Sequence, residues 1–228
     1  MTKPIKFILA IVGLTFYQTV VGQKRTADRT FLLREPDHSI FIDNSKTSKF
    51  YESISDFKFD KFDKDSYGYS LQYLKDHGLK LTKTNIKDVT KSWIILKYYK
   101  KKFYTYHPSD FYSHYKILIT DTAFIDYGGE GPMANKIISY KKVDDQTFLF
   151  GLTGVERPKR KLTIHIIDKQ NGIAIFEQLT DDKDKQYYLM IDARKIRQLP
   201  IIVNYCKTQK QMEFDFDKPD YKKLIKVK

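Results

Sequence analysis

The sequence has very little cysteine. Cys206 is the only one in 228 residues, and a single cysteine excludes an internal disulfide bond. The fold must therefore be held by its hydrophobic core, for which about 200 residues are enough. Cys206 follows the apolar stretch Ile201–Val203. We therefore expect its thiol to be mostly buried, where poor access and a raised pKa would keep it unreactive.

Recognisable catalytic motifs are also missing. The Gly128–Pro132 loop has no Gly-Lys-Ser/Thr after it, so it is not a phosphate-binding loop. No nucleophile elbow, His-Glu-x-x-His motif or dinucleotide fingerprint is present. His107 and His114 flank Asp110 at a spacing that matches no zinc pattern, which favours a loop with two surface histidines. We expect no metal and no cofactor. A hydrolase that uses these three residues with Glu130 remains an alternative.

Basic residues outnumber acidic ones, 41 to 28, which gives a formal net charge of +13. They are scattered among aspartates and form no basic helix, so the pattern argues against a nucleic-acid partner. A solvated surface is the simplest interpretation. Such a surface could also make weak contact with an anionic envelope surface, either lipid headgroups or acidic polysaccharide.

The N-terminus has the layout of a secretory signal peptide. Lys3 and Lys6 precede the apolar run Phe7–Phe16, and Val20-Val21-Gly22 supplies a cleavage site before Gln23. The apolar run is short for a membrane-spanning helix, and polar residues follow it closely. The sequence therefore predicts that residues 1–22 are a signal peptide and that the mature protein is secreted or periplasmic.

Residues 91–206 read as short alternating strands separated by turns at intervals of about ten residues. Asn171-Gly172 is the clearest hairpin signal and predicts a type I′ turn. No link is long enough for a helical crossover, so we expect antiparallel pairing. The prediction is a mainly β fold, an antiparallel up-and-down β-barrel or sandwich of about nine or ten strands. A barrel is favoured because closure hides the sheet edges.

One or two short helices are expected in the segment 23–90. Residues 66–77 are predicted to be helical because Tyr67, Leu71 and Leu74 share a face and Gly78 can end the helix. Helical spacing also occurs earlier in this segment, at Phe50, Tyr51, Ile54 and Phe57. Residues 207–228 are predicted to form a polar strap, and residues 23–228 a single domain.

The chain resembles the lipocalin family in architecture. A signal peptide, a short helix, Ser92-Trp93 at the head of the first strand and the ladder that follows carry the resemblance. Lys91 stands where lipocalins usually have glycine, and the helix precedes the barrel instead of following it. The resemblance implies a small apolar ligand inside the barrel.

Aromatic residues supply the candidate ligand contacts. The sequence has 17 tyrosines and 16 phenylalanines, most of which should form cross-strand pairs and core. A minority could line a cavity for an apolar or aromatic ligand. We predict a monomeric binding module without catalysis. The alternative is a structural or interaction protein of the cell envelope with a filled barrel. The candidate ligand-binding residues are Trp93, Tyr104, Tyr106, Tyr115, Phe148, Phe150, His165 and Phe176.

Overall fold

The computed structural model of the protein describes residues 28–155, 159–180 and 185–226. The predicted signal peptide lies outside these residues. Two sheets make up the fold, and each is built from segments distant in sequence. The strands are β1 (Arg29–Arg34), β2 (His38–Asp43), β3 (Ser92–Ile95), β4 (Lys97–Tyr99), β5 (Lys102–His107), β6 (Lys116–Ile119), β7 (Ala123–Gly128), β8 (Gly131–Lys142), β9 (Thr147–Gly154), β10 (Arg160–Asp168), β11 (Ile173–Thr180), β12 (Lys185–Asp192) and β13 (Ile201–Cys206).

A closed antiparallel barrel forms from β3 and β6 to β12, in the order β10-β11-β12-β3-β6-β7-β8-β9. Seven of these strands follow one another along the chain as hairpins, and β3 fits between β12 and β6 to close the circle. The predicted mainly β fold with an antiparallel up-and-down barrel is confirmed. Closure leaves the barrel with no free edge, which is the physical reason why so long a meander closes.

The interior of the barrel is packed with aromatic side chains. Trp93, Phe124, Phe148, Phe150 and Phe176 are each 2% exposed or less. They come from four strands, and Phe148 and Phe150 share β9 because alternate residues of a strand point to the same side of the sheet. The indole of Trp93 meets the Phe176 ring edge-on, with 5.2 Å between the ring centroids. This part of the barrel is a solid core.

The second sheet has five strands in the order β1-β2-β13-β5-β4. Its strands β5 and β13 run parallel, with Ile202 opposite Tyr106, so the expectation of purely antiparallel pairing was wrong. The connection between them is the body of the barrel, strands β6 to β12, which is ample for a crossover. Ile201–Cys206, expected to end the ladder, therefore belongs to this sheet and pairs with β2 as well.

Three short helices complete the fold: α1 (Phe50–Ser55), α2 (Lys61–Asp76) and α3 (Tyr221–Lys226). The first fills the space between the barrel and the second sheet with its apolar face. The second begins five residues earlier than predicted, because Asp60 caps it by accepting a hydrogen bond from the Asp63 amide at 2.8 Å. Within the described residues, no helix is long and apolar enough to cross a bilayer.

The polar C-terminal segment is bound to the second sheet. Phe214 and Phe216 pack edge-on against Tyr99 and Tyr106. The Glu213 carboxylate accepts hydrogen bonds from the Tyr106 hydroxyl and, at 2.7 Å, from the Asp110 amide. These contacts hold the segment 207–220 in place without regular secondary structure, apart from a single bridge between Tyr98 and Asp217.

The type I′ turn does not lie where it was predicted. The loop from Asp168 to Ile173 is a hairpin, but its residue with positive φ is Gly172 (φ 69°), and Asp168 accepts hydrogen bonds from both the backbone and the side chain of Asn171. The two-residue hairpin lies between β4 and β5. Its residues Lys100 and Lys101 have φ of 46° and 62°, as a type I′ turn requires.

We expect Lys101→Gly to stabilise the protein by about 0.5–1 kcal/mol, because a left-handed conformation is strained for lysine and free of strain for glycine. The same change one residue later, Lys102→Gly, falls in β5 and should destabilise by a similar amount. Urea unfolding of the two variants measures both effects. Equal destabilisation by the two changes would contradict the turn assignment.

Candidate functional site

One end of the barrel interior is polar. The inward-facing positions that are apolar along most of each strand become polar at this end. On β10, Arg160 precedes the inward Leu162 by two residues, and on β7, Asp126 follows the inward Phe124 by two. Such a residue points the same way as its apolar neighbour. The set of inward polar residues at this end, called here the mouth network, comprises Tyr115, Asp126, Asn135, Arg160, Gln178, Gln186 and Tyr188.

A buried ion pair lies at the centre of the mouth network. The Nη2 atom of Arg160 lies 2.5 Å from Oδ2 of Asp126, and the two side chains are 3% and 13% exposed. Asp126 also accepts hydrogen bonds from the Tyr115 hydroxyl and from Nδ2 of Asn135 at 2.8 Å. The Nη1 atom of Arg160 donates to Gln178 at 3.1 Å. The pair is thus held from several strands, which fixes its position.

Burial and charge act against each other at this pair. Burial alone would lower the pKa of Arg160, but the negative charge of Asp126 and the hydroxyl of Tyr115 outweigh it and raise the pKa. Burial, assisted by Asp126, raises the pKa of Tyr115 well above its ordinary value. Arg160 is therefore cationic and Tyr115 neutral at any physiological pH.

The Nε–H group of Arg160 is buried and has no hydrogen-bond acceptor within the described part of the chain. Buried donors of this kind are rare in folded proteins and ordinarily find a partner. An oxygen atom of a ligand or a water molecule can supply the missing acceptor. The barrel mouth therefore offers a fixed, unused donor on a charged group.

A cavity of about 360 Å³ lies above this pair. Its volume falls in the range of small-molecule sites, roughly 300–1,000 Å³. Apolar and aromatic surface alternates in its wall with polar groups, so a bound molecule would meet both. The residues that line it are Ile95, Tyr112, His114, Tyr115, Asp126, Gly128, Gly129, Glu130, Gly131, Met133, Arg160 and Tyr188.

The glycine-rich loop is the hairpin between β7 and β8 at the rim of this cavity. A Cβ atom added at Gly129 would overlap the ring of Tyr112, and one at Gly131 would lie 2.8 Å from Oγ of Ser66 on α2. Gly131 also has φ 85°, a conformation that favours glycine. Because Gly129 and Gly131 have no side chains, the loop can lie close to Tyr112 and Ser66. The Tyr112 hydroxyl donates a hydrogen bond to the Glu130 carboxylate at 3.3 Å at the rim of the cavity.

His114 is buried beside the cavity, not on the surface as expected. Its Nε2 donates to the carbonyl oxygen of Ile54 at 3.0 Å, and Nδ1 has no hydrogen-bond partner within the described residues. Burial lowers the pKa of His114 to about 4, and the nearby charges of Lys116 and Lys97 act in the same direction. His114 is therefore a neutral imidazole that joins α1 to the barrel.

The depressed pKa of His114 predicts acid sensitivity. As pH falls from about 6.5 towards 4, the unfolded chain takes up the proton before the folded chain does, so stability is lost in this window. We expect a loss of about 2 kcal/mol between pH 7 and pH 4.5 from this group. His114→Gln keeps a donor for Ile54 but cannot titrate. Urea unfolding at both pH values should show a smaller loss for the variant; identical losses would contradict the assignment.

The eight residues proposed from sequence fall into four places. Tyr115 lines the cavity. Trp93, Phe148, Phe150 and Phe176 lie deeper, in the packed core of the barrel. Tyr104 and Tyr106 belong to the second sheet, and His165 points outward from β10, 3.6 Å from Glu177. Five of the eight therefore lie on the inner face of the barrel, and the period-two pattern could not show how far along the barrel each ring lies.

The four residues of the hydrolase alternative, His107, Asp110, His114 and Glu130, also make contacts with different partners. His114 and Glu130 both line the cavity, with the hydrogen bonds described above. His107 packs between the rings of Phe50 and Phe111, and Asp110 forms an ion pair with Lys210 at 2.8 Å. Across residues 28–155, 159–180 and 185–226, no group of three or more His, Cys, Asp or Glu side chains is placed to hold a metal ion.

Apart from Tyr115, the sequence analysis missed the residues of the mouth network. Its signal was present: Arg160 and Gln178 continue, with polar side chains, the inward stripes that contain Leu162 and Phe176. A charged residue in register with an apolar stripe is expected to be buried and paired. Cys206 is half-buried, with Sγ 3.2 Å from Oγ of Ser109.

The fold and the mouth network define a closed up-and-down β-barrel with a filled core and a polar open end. This architecture is compatible with that of lipocalins and related barrels, which also close eight antiparallel strands. Comparison of the chain with protein-family models, with curated proteins and with solved structures finds no match.

Proposed function

We propose that the protein is an exported binding protein that holds a small molecule in the open mouth of its barrel, without catalysis. The observation that carries this proposal is the cavity of about 360 Å³ above a buried arginine whose Nε–H has no acceptor among the described residues. Export rests on the predicted signal peptide, and mass spectrometry of the exported chain tests it by locating the N-terminus at Gln23.

The chemistry of the cavity narrows the ligand class. The rings of Tyr112, Tyr115 and Tyr188 with Ile95 favour an aromatic or apolar body. The guanidinium of Arg160 favours a carbonyl or carboxylate oxygen at one end of that body, because charge-assisted hydrogen bonds are stronger than neutral ones. We therefore propose a small aromatic or apolar molecule that carries one oxygen acceptor. The ligand would lie above the aromatic core and not within it.

A pair of probes tests this class directly. 2-Naphthoate has the aromatic body and the acceptor, whereas naphthalene has the body alone. Isothermal titration should detect saturable binding of 2-naphthoate with micromolar to millimolar affinity and weaker binding of naphthalene. Equal affinity for the two probes would show that Arg160 takes no part, and absence of binding by both would count against a cavity for this ligand class.

Gly129→Ala is the sharpest variant for the location of the site. The added methyl group would overlap the Tyr112 ring and move it at the rim of the cavity. We expect the affinity for 2-naphthoate to change at least fivefold. Gly68→Ala is the matched control, since nothing lies within 4 Å of the added methyl group on α2. That control should leave binding unchanged and stabilise the helix by about 0.5–1 kcal/mol.

A structural role in the cell envelope is the second candidate. The observation that favours it is the filled barrel core, in which five large aromatic rings are each 2% exposed or less. In that case the outer faces of the sheets would carry the function. Failure of both probes to bind, together with recovery of the chain in envelope fractions, would favour this candidate over the first.

A further inference from the structure

A second concave site lies on the other sheet, far from the barrel mouth in sequence. We call it the β1 groove. It has a volume of about 340 Å³ and lies between the β1–β2 turn, the start of α1 and the end of β13. Its lining residues are Arg29, Phe31, Arg34, Glu35, Pro36, Asp37, His38, Ser39, Phe41, Lys49, Phe50, Tyr205 and Lys207. The groove shares none of the residues that line the cavity of the barrel mouth.

Three cations of the groove lie over aromatic rings. The guanidinium carbons of Arg29 and Arg34 lie 4.6 Å and 4.8 Å from the ring centroids of Phe41 and Phe31. The ammonium group of Lys49 lies 5.7 Å from the ring centroid of Phe50. A cation–π contact restrains a side chain and, unlike an ion pair, leaves its positive charge intact. The groove therefore presents cations that are already positioned.

Two of these cations are not neutralised by a carboxylate. Arg29 lies 3.5 Å from Asp43, and Lys207 lies 4.0 Å from Asp37. Neither Arg34 nor Lys49 has an ion-pair partner in the part of the chain that the structure describes. An anionic group that enters the groove would thus meet a free guanidinium and a free ammonium group, which are the two cations proteins use for carboxylate recognition.

The other lining residues indicate more than an anion. Glu35 and Asp37 would repel a ligand that carries negative charge alone, but their oxygens accept hydrogen bonds from hydroxyl groups. Phe31 and Tyr205 are 40% and 42% exposed, so part of each ring is open to a ligand. Sugar rings have hydroxyl groups and apolar faces, and acidic sugars add a carboxylate.

We infer that the β1 groove binds a short segment of an acidic polysaccharide, with uronic-acid carboxylates paired to Arg34 and to Lys49. Hydroxyl groups of the neighbouring sugar bond to Glu35 and Asp37, and a sugar ring lies against Tyr205. A flat anionic membrane fits less well, because the binding residues are the walls of a groove and two of them are acidic. The groove does not depend on the ligand proposed for the barrel mouth.

A hexamer of galacturonic acid is the probe, and a neutral glucose hexamer is its uncharged counterpart. We expect calorimetry on the full chain to detect saturable binding of the acidic hexamer at low salt, and binding at least tenfold weaker for the neutral one. Raising the salt concentration from 50 mM to 500 mM should weaken the binding, since the contacts are partly exposed. Binding of neither hexamer would overturn the inference.

The variant Arg34→Gln with Lys49→Gln removes both free cations. We expect it to weaken binding of the acidic hexamer by about tenfold or more, the effect of losing charge-assisted hydrogen bonds. Lys141→Gln with Lys161→Gln is the matched control, because it removes the same charge from exposed positions on the barrel. That control should retain binding within twofold. An equal loss in both variants would show that only the net charge matters and would overturn the groove assignment.

Two further measurements distinguish the acidic polysaccharide from an anionic lipid surface, and the groove from the barrel mouth. Vesicles of phosphatidylglycerol should bind no better to the natural chain than to the Arg34→Gln, Lys49→Gln variant. Vesicle binding that this variant abolishes, without binding of the acidic hexamer, would identify a lipid surface and overturn the polysaccharide assignment. Binding of 2-naphthoate should be unchanged in the groove variant, so failure of this inference is distinguishable from failure of the barrel-mouth proposal.

Discussion

Asp126→Ala should destabilise the protein by about 3–5 kcal/mol, because it leaves the guanidinium of Arg160 buried without its counter-charge. The hydroxyl of Tyr115 loses its Asp126 acceptor at the same time, and the side-chain amide of Asn135 loses one of its three acceptors. Urea unfolding at neutral pH measures the change. The effect is large because the penalty for an unpaired buried charge exceeds the net contribution of the pair itself.

Two comparisons make this prediction specific. Asp121→Ala removes the carboxylate of the exposed ion pair with Lys83, whose side chains are 54% and 82% exposed, and it should cost less than about 1 kcal/mol. Replacing both charges of the buried pair, by Arg160→Met with Asp126→Asn, should cost less than Asp126→Ala alone. A double variant as unstable as Asp126→Ala, or an equally large effect at Asp121, would contradict the assignment of a buried charge penalty.

The ion pair of Arg160 with Asp126 differs from a contact that mainly stabilises the fold, and this difference bears on function. Buried ion pairs are weak contributors to stability compared with apolar side chains of the same volume. Here the pair lies at the floor of a cavity and has a donor to spare. This placement is what connects the stability measurement to the proposed ligand: a ligand that supplies the missing acceptor to Arg160 should raise the unfolding midpoint of the natural chain.

Phe176→Ala should also cost about 3–5 kcal/mol, since Phe176 is fully buried and its ring packs edge-on against Trp93 in the barrel core. Removing it deletes apolar contacts and leaves a cavity that rigid neighbouring strands cannot close. The measurement is again urea unfolding. Phe176→Leu restores most of the volume and should cost about 1–2 kcal/mol.

Phe62→Ala is the matched control for the core prediction. Phe62 lies on α2 and is 55% exposed, so the same deletion there should cost about 1 kcal/mol or less. The comparison also bears on ligand binding. If the Phe176 ring served mainly as a ligand contact, its removal would destabilise the free protein only slightly. A loss below about 1 kcal/mol at Phe176 would therefore indicate a ligand-lined interior and contradict the packed core.

The sequence by itself predicted the series of antiparallel strands and favoured a barrel over a sandwich. Strands such as β10 alternate apolar and polar residues, and short links force consecutive strands to pair as antiparallel neighbours. The inward position of Leu162, Ile164 and Phe176 follows from that period alone. These are local properties, set by neighbouring residues, so they can be read along the chain. Helix α2 was located for the same reason, although its start depends on the Asp60 cap.

Tertiary structure decided everything that depends on residues distant in the chain. The parallel pairing of β5 with β13 exists because the barrel returns the chain to the same sheet after it closes. The ion pair of Arg160 with Asp126 joins two strands in the same way, and Arg34 and Lys49 come from separate elements to line the β1 groove. Period and spacing say on which side of a strand a residue lies. Only the closure and packing of the two sheets determine which side chains from different elements line the same site, and both proposed sites are assembled in this way.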